Sequence, residues 1–417
     1  MKKAINRIWF RLTTWRFRRK VLRLRAVIWR RMLYRTTFIA ITGSIGKTTT
    51  KECLGAILSK KHRTAKTKYN RNGARGVLRT LLSIKRKHRF AVMEVATERP
   101  GQIARSAALV RPKIAIIVTV ARTHTNNFKT LEDTAAEKGR LLDFLPSDGV
   151  AILNAEDPRV FAMAAKCRCE VKTFGLSSKA DIWAEEISSK WPAFLSFRAR
   201  TSTESVWVET NLVGEHWINS VLAAMLAGKC CGVPLETAAA AMTEVKPYLS
   251  RMQPVTLPCG ATILRDEATA SVDTLEAALK VLGEAKAKRR LLVISDFSDT
   301  NERTRNRHKR LGRAATELAD LAIFVGEHGH YAIKAAIAEG MDPARVLGFE
   351  TVKEAAEYLK AELREGDLAL IKGRGSDHLE RIFLYQSEPV ACWKRKCRDR
   401  TLCDMCDELR PPTQPQP

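Results

Sequence analysis

Acidic residues are missing from the first 51 positions, the earliest being Glu52, and across the 417-residue chain 72 Lys and Arg outweigh 45 Asp and Glu for a net charge of +27. A surplus that large biases a protein toward polyanions such as nucleic acid, anionic lipid or acidic polysaccharide. No run approaches the ~18 uninterrupted apolar residues that a spanning helix needs, which excludes a polytopic membrane protein. A clean apolar core of a secretory signal is also missing near the N-terminus, so a reducing cytosol is the expected compartment. Serine is absent from residues 1–36, which argues against a transit peptide. Hydrophobic content of 45% and charged content of 28% are those of a globular protein and exclude a largely disordered or collagen-like chain. At ~150 residues per domain the length predicts two or three domains.

Residues 1–36 read as a basic amphipathic helical segment, in which Arg7, Arg11, Arg16, Arg23, Arg30 and Arg31 alternate with Ile5, Ile8, Trp9, Trp15, Leu22 and Trp29. Trp and Leu beside Arg suit a helix lying on an anionic membrane surface, with a helix packed on its own domain as the alternative and nucleic acid as the lesser partner. From Thr37 short apolar runs alternate with helical stretches. The runs 37–43, 90–96, 114–121 and 150–157 read as buried parallel strands, and a second set follows at 261–267, 289–296, 321–327 and 368–374. An Ala-rich helical stretch, 216–246, separates the sets. The fold class expected is α/β: a central domain with a parallel sheet (37–247), then a Rossmann-like α/β domain (248–388) and a Cys-rich basic tail (389–417).

The sharpest motif is Thr42-Gly43-Ser44-Ile45-Gly46-Lys47-Thr48-Thr49, between a predicted strand and a predicted helix. Glycines let backbone N–H groups turn inward around phosphate oxygens; Lys47 would meet the terminal phosphates of ATP and Thr48 would ligand Mg²⁺. The glycine that usually stands five positions before the Gly-Lys pair is replaced by Ile41, giving the shorter Gly-x-x-Gly-Lys-Thr form. Phosphoryl transfer needs cations and positioning, and oxygen donors suit Mg²⁺. Glu94, closing an apolar strand where ligands meet open α/β sheets, is the second candidate for the first ion.

The shortened loop resembles that of the Mur ligases, which form amide bonds using ATP. Further segments match that family in order. Thr67-Lys68-Tyr69-Asn70-Arg71-Asn72-Gly73 resembles the Asn-rich segment of its D-alanyl-D-alanine-adding branch, and Met93-Glu94-Val95-Ala96 resembles a strand end of that branch. Thr123-His124-Thr125, Glu137-Lys138-Gly139, Leu153-Asn154-Ala155-Glu156-Asp157 and Gly214-Glu215-His216-Trp217-Ile218-Asn219 follow.

The resemblance implies a P-loop ATPase domain and a carboxylate–amine ligase working through an acyl phosphate, with small-molecule acid and amine substrates from a cell-envelope or polymer precursor. It assigns Lys47, Glu94, His124, Lys138 and Arg251 to catalysis, and Gly43, Ser44, Ile45, Gly46, Lys47, Thr48 and Thr49 to the triphosphate. Asn219 would meet adenine and Asp266 the ribose, while Thr48, Glu94, His124 and Lys138 would hold Mg²⁺. The matching lysine is often carbamylated in the family; unmodified, Lys138 would contact phosphate directly. Asn70, Asn72, His308, Lys372 and Arg374 would bind substrate, the last two receiving an anionic acceptor at a strand end.

Two features depart from the pattern. Asp266-Glu267-Ala268-Thr269-Ala270-Ser271-Val272 lacks the family's Tyr, Asn and Pro at this place, which weakens the expected ribose and hinge contacts. The 36 residues before the first strand are too few for the domain that holds UDP in family members, so a substrate other than a UDP-linked precursor is expected. The alternatives are a glutamyl ligase of folate or poly-γ-glutamate type, and a non-ligating nucleotide-binding protein that uses its basic arm on nucleic acid or membrane. In the tail, Cys392, Cys397, Cys403 and Cys406 have a spacing compatible with four-thiolate Zn²⁺ binding. The expected location is cytoplasmic, peripheral on the inner face of the membrane.

Overall fold

The computed structural model describes residues 20–122, 127–297, 302–395, 397 and 403–410. The chain divides into two compact units, the first comprising 1–185, 198–208 and 218–244, the second 186–197, 209–217 and 245–417. Two short stretches expected within the central domain, 186–197 and 209–217, therefore belong to the second unit.

The first sheet has nine strands: β1 (Thr37–Thr42), β2 (Thr64–Lys66), β3 (Phe90–Glu94), β4 (Ile114–Ile117), β5 (Val150–Asn154), β6 (Glu170–Gly175), β7 (Ile182–Ser188), β8 (Ser196–Arg200) and β9 (Ser205–Glu209). Their order is β2-β3-β1-β4-β5-β6-β7-β8-β9, parallel from β2 through β7. The central strands β1, β3 and β4 are nearly continuous aliphatic sequence because helices cover both faces of a parallel sheet. The order changes direction at β1, with β3 on one side and β4 on the other, and open α/β sheets bind ligands outside such a reversal. The P-loop leaves β1 there.

The helix over 20–32 belongs to this unit. Ala26 on the helix and Leu33 just beyond it join the core, Trp29 Nε1 donates to Ile84 O at 2.9 Å, and Arg30 donates to Val110 O at 2.6 Å and lies over the Phe38 ring. The rest of the expected amphipathic segment, 1–19, lies outside the described residues.

The second unit carries β10 (Gln253–Thr256), β11 (Thr262–Asp266), β12 (Arg289–Ile294), β13 (Leu321–Val325), β14 (Val346–Phe349) and β15 (Asp367–Lys372), ordered β10-β11-β15-β12-β13-β14. Only the edge pair β10–β11 is antiparallel. Its core is built from the aliphatic residues of β11, β12, β13 and β15 with Ala355, Ala356 and Leu359 of an overlying helix.

Candidate active site

Strand register assembles the first half of the site. Ile41 of β1 pairs with Glu94 of β3, so the carboxylate at the end of β3 stands beside the strand that feeds the P-loop. Gly46 takes φ +86, and a Cβ there would lie 2.6 Å from Ser220 Oγ and 2.9 Å from Val118 Cγ1, so only glycine fits the turn. Ser44 ties the loop to the segment after β4: its N–H donates to Thr119 O at 2.7 Å, and its hydroxyl donates to Ala121 O and accepts from Ala121 N–H. Lys47, first residue of the helix Lys47–Ser59, folds over the loop and donates to Gly43 O at 2.6 Å and Ser44 O at 2.8 Å. Its ammonium thus stands at the mouth of the phosphate cradle.

Glu94 is fully buried and densely held. Its carboxylate accepts from Thr48 Oγ1 at 3.1 Å and from the Asn72 amide at 2.7 Å, and it pairs with Lys51 at 3.5 Å. Its own N–H donates to Thr67 Oγ1. A buried hydroxyl and a buried carboxylate converging at a P-loop are the hard oxygen donors that Mg²⁺ takes. Asn72, expected on substrate, is engaged by Glu94, whereas Asn70 is exposed. Lys51 was not singled out from the sequence. The available signal was its position one helical turn after Lys47, on the face that Thr48 also occupies.

Lys138, near the end of the helix Leu131–Gly139, is buried, and its pKa falls to about 7, first through burial and then through the charge of Lys47. The two lysines are therefore electrostatic neighbours, and Lys138 carries an amine that is substantially neutral near pH 7. Glu137 beside it does structural work, accepting from Gly101 N–H and Ile103 N–H at the start of the helix Gln102–Val110. The matching segment 153–157 is structural as well: Asn154 donates to Val118 O, and Asp157 accepts from Val120 N–H and from Thr119 Oγ1. Both hold the chain that runs toward His124, which itself lies outside the described residues. Asn219, on the helix Ile218–Cys230 of this unit, has a buried amide oxygen with no hydrogen-bond partner in the protein, the type of group a purine amine would satisfy.

In the second unit, register pairs Asp266 of β11 with Lys372 of β15, and the two side chains form a buried ion pair. Lys372 also donates to Thr269 O at 2.8 Å, and Met252 N–H donates to Asp266 Oδ1 at 3.1 Å. Burial pushes the lysine down and the aspartate up, each opposed by the other's charge. Lys372, expected to face an acceptor, is thus enclosed and committed to Asp266. Arg251 lies within charge range of both, its Nε is buried without a partner, and the residues on either side of it, Ser250 and Met252, take left-handed φ values of 58° and 45°. Non-glycine residues in that region cost of order 1–3 kcal/mol each and mark places where a side chain is held for use. His216 is kept neutral, its pKa pushed down to about 3 by burial and then by the charges of Lys372 and Lys280.

The other expected acceptor residues converge on Asp296, just beyond β12. Arg307 grips it with two hydrogen bonds of 2.8 and 2.6 Å, Arg374 lies 3.5 Å away, and His308 Nε2 stands 4.0 Å away with its Nδ1 at 2.9 Å from Thr304 O. Arg374 also pairs with Asp377. Asp296 and Arg307 were not anticipated; sequence separation hides a cluster assembled from two strand ends and a helix.

The tail corrects one expectation. Cys392, Cys397, Cys403 and Cys406 do not gather into a four-thiolate set. Among the described residues the only group of three ligand-type side chains is His378, Glu380 and Cys403. Cys403 packs inward with Leu384, Val390 and Leu409, Cys406 lies against the same cluster, and the Cys403 sulfur stands 3.5 Å from His378 Nδ1.

A P-loop with a buried Thr–Glu oxygen pair, on a chain with a second α/β unit, is the arrangement of a nucleotide-dependent phosphoryl-transfer enzyme. Two family models match, the Mur ligase middle domain over residues 41–228 and the Mur ligase glutamate ligase domain over residues 250–375. The chain is 31% identical over 305 residues to the UDP-N-acetylmuramoyl-tripeptide–D-alanyl-D-alanine ligase of Escherichia coli, covering 72% of this chain and 67% of that one. The enzyme of the same description from Mycobacterium bovis is 29% identical over 356 residues, covering 81% and 70%. Among solved structures, MurF from Acinetobacter baumannii superposes with a TM-score of 0.81 at 26% identity, covering 88% of this chain and 80% of that chain. A MurF ligase from Thermotoga maritima in complex with ADP shares the fold, with a TM-score of 0.75 at 19% identity, covering 88% and 83%.

The chain belongs to the Mur ligase family, and it is an ATP-dependent ligase that joins a carboxylate to an amine. Its relatives favour neither the folate-type nor the non-ligating alternative. Among the described residues no helix is long and apolar enough to cross a membrane.

Proposed function

We propose that this ligase activates a peptidyl carboxylate of a cell-wall precursor and couples it to the amine of an amino acid or short peptide. The observation that carries the reading is the Thr48–Glu94 pair at the P-loop, with Lys47 and Lys138 as electrostatic neighbours. A carboxylate oxygen attacks the γ-phosphorus of ATP, ADP leaves, and an acyl phosphate forms; the amine then attacks the acyl carbon, loses a proton and expels phosphate. Lys47 releases the loop carbonyls to meet the phosphate oxygens. Thr48 and Glu94 would hold Mg²⁺, which supplies positive charge against the triphosphate. Lys138, substantially neutral near pH 7, has the free electron pair that carbamylation by CO₂ requires, and the carbamate would act as an anionic ligand together with His124. Asn219 would accept from the adenine amine, Arg251 would reach phosphate, and Asp266, fixed by Lys372, would hold the ribose. His308 and Arg374, gathered at Asp296, would bind the incoming amine substrate, whose carboxylate suits an arginine. Asn70, which is exposed, and Asn72, which donates to Glu94, would border the acid.

The test is mass spectrometry of products formed from cell extract with ATP, comparing the parent with Lys47→Ala. A new amide product seen only with the parent supports the reading; full activity in a correctly folded Lys47→Ala protein rejects the phosphate-site assignment.

We further infer a cytoplasmic enzyme that rests on the inner face of an anionic membrane. The helix 20–32 buries one face in the first unit, yet Val21, Leu24, Ile28 and Met32 form an exposed apolar stripe on another, flanked by exposed Arg25 and Arg31. Co-flotation with phosphatidylglycerol vesicles but not phosphatidylcholine vesicles, lost on Leu24→Glu/Ile28→Glu, is expected. Equal flotation of parent and variant refutes it. Salt-sensitive binding to RNA in place of vesicles would favour nucleic acid.

A further inference from the structure

Outside the nucleotide and acceptor residues, one buried group of side chains takes no part in the ligase chemistry. His378, Glu380 and Cys403 are each less than a tenth exposed, and one ligand atom from each lies within 4.8 Å of the others. His378 Nδ1 is 3.5 Å from Cys403 Sγ and 3.7 Å from Glu380 Oε1. The fold imposes this proximity. His378, with a left-handed φ of 57°, stands just before the helix Glu380–Ser387, which Glu380 opens, and Cys403 begins the short turn Cys403–Met405 of the tail.

Glu380 Oε2 and Glu267 Oε2 are both buried without a hydrogen-bond partner, while Glu380 Oε1 accepts from Cys403 N–H at 3.3 Å. The neighbouring arginines are already engaged. Arg265 pairs with Glu267 and Asp404, and Arg381 donates to Cys403 Sγ at 3.2 Å and to Lys394 O at 2.8 Å. Buried carboxylate oxygens normally find a donor or a cation.

We propose that His378, Glu380 and Cys403 form a structural metal site of the zinc type, which pins the C-terminal tail to the second unit. One sulfur, one imidazole nitrogen and one carboxylate match the borderline-soft donors that Zn²⁺ takes, and tetrahedral bonds of ~2.3 Å to sulfur and ~2.0 Å to nitrogen put those two atoms about 3.5 Å apart. The Arg381 N–H···S hydrogen bond is the support a metal-bound thiolate receives from its surroundings. A metal-bound cysteine is a thiolate, so binding releases the Cys403 thiol proton to solvent.

The full chain, free of nucleotide, is dialysed against Zn²⁺ and assayed by plasma mass spectrometry, then exchanged with Co²⁺ and scanned for sulfur-to-cobalt absorption in the near ultraviolet. About one metal per chain and a cobalt–thiolate band are expected. Cys403→Ser and His378→Gln remove the band, whereas the triple change Cys392→Ser, Cys397→Ser and Cys406→Ser retains it. Absence of metal in the parent at tenfold excess, a band that survives Cys403→Ser, or a band lost in the triple variant overturns the assignment. Should Cys403→Ser not fold, the parent stoichiometry and the triple variant still decide. The readout needs no turnover, so its failure is distinct from a failure of the ligase reading.

Discussion

Lys51 offers a sharp test of how the buried carboxylate of Glu94 is held. It is fully buried, pairs with Glu94 at 3.5 Å and Glu52 at 3.0 Å, and donates to Tyr69 O. Lys51→Met keeps the length of the side chain and removes the charge. Glu94 then remains buried with only the neutral donors Thr48 and Asn72. Removing one partner of a buried ion pair typically costs ~3–5 kcal/mol, because the other charge is stranded. In a folding unit of this size each kcal/mol lowers Tm by ~2–4 °C, so a loss of about 3 kcal/mol lowers it by roughly 6–12 °C. The measurement is thermal melting of the full chain with and without Mg²⁺ and a nucleotide. Because the cation replaces the missing positive charge at Glu94, Mg²⁺ with nucleotide should raise the melting temperature of the variant more than that of the parent. A variant that melts within about 2 °C of the parent without ligand would refute the argument.

Three further outcomes follow from the geometry. Lys138→Met should end turnover yet stabilise the nucleotide-free protein. The native pKa near 7 lies below the unfolded value of 10.5, so the unfolded chain binds the extra proton between those pH values and parent stability rises with pH across that window. The gain from Lys138→Met is therefore greatest below pH 7, on the order of 4 kcal/mol, and shrinks toward pH 10; denaturant melts at pH 6.5 and 9.5 check it. Gly46→Ala, which sets a methyl against Ser220 and Val118, should weaken nucleotide binding at least tenfold by calorimetry and destabilise the first unit by about 1–3 kcal/mol. Asp266→Asn strands the buried Lys372 ammonium and should lower the stability of the second unit by ~3–5 kcal/mol in urea, with a raised KM for ATP.

Local signals made much of this readable from sequence. β1, β3, β4, β5, β11, β12, β13 and β15 announce themselves as aliphatic runs, because a parallel strand covered on both faces has no polar alternation to hide it. β6, β7, β8 and β9 were not foreseen: sequences such as Ile182–Ser188 and Ser196–Arg200 alternate buried with more exposed residues and carry charge. The P-loop was legible since its glycines and Lys47 are adjacent in sequence. The electrostatic partnerships were not. Lys51 with Glu94, Lys372 with Asp266 and Arg307 with Asp296 each depend on register or on a helix face meeting a strand end, and no short window contains both partners. The tail cysteines show the opposite error, where one Cys-x-x-Cys with unevenly spaced partners suggested a four-thiolate set and the packing sets Cys403 beside His378.

The central claim is that a phosphoryl group held over Gly43–Lys47 passes to an organic acid. Its most direct measurement uses the acid substrate with ¹⁸O in its carboxylate, together with ATP and the amine, and follows the released phosphate by ³¹P NMR. The account predicts one ¹⁸O in each phosphate, carried from the carboxylate through the acyl phosphate. Phosphate free of label, or label appearing in AMP, would contradict it.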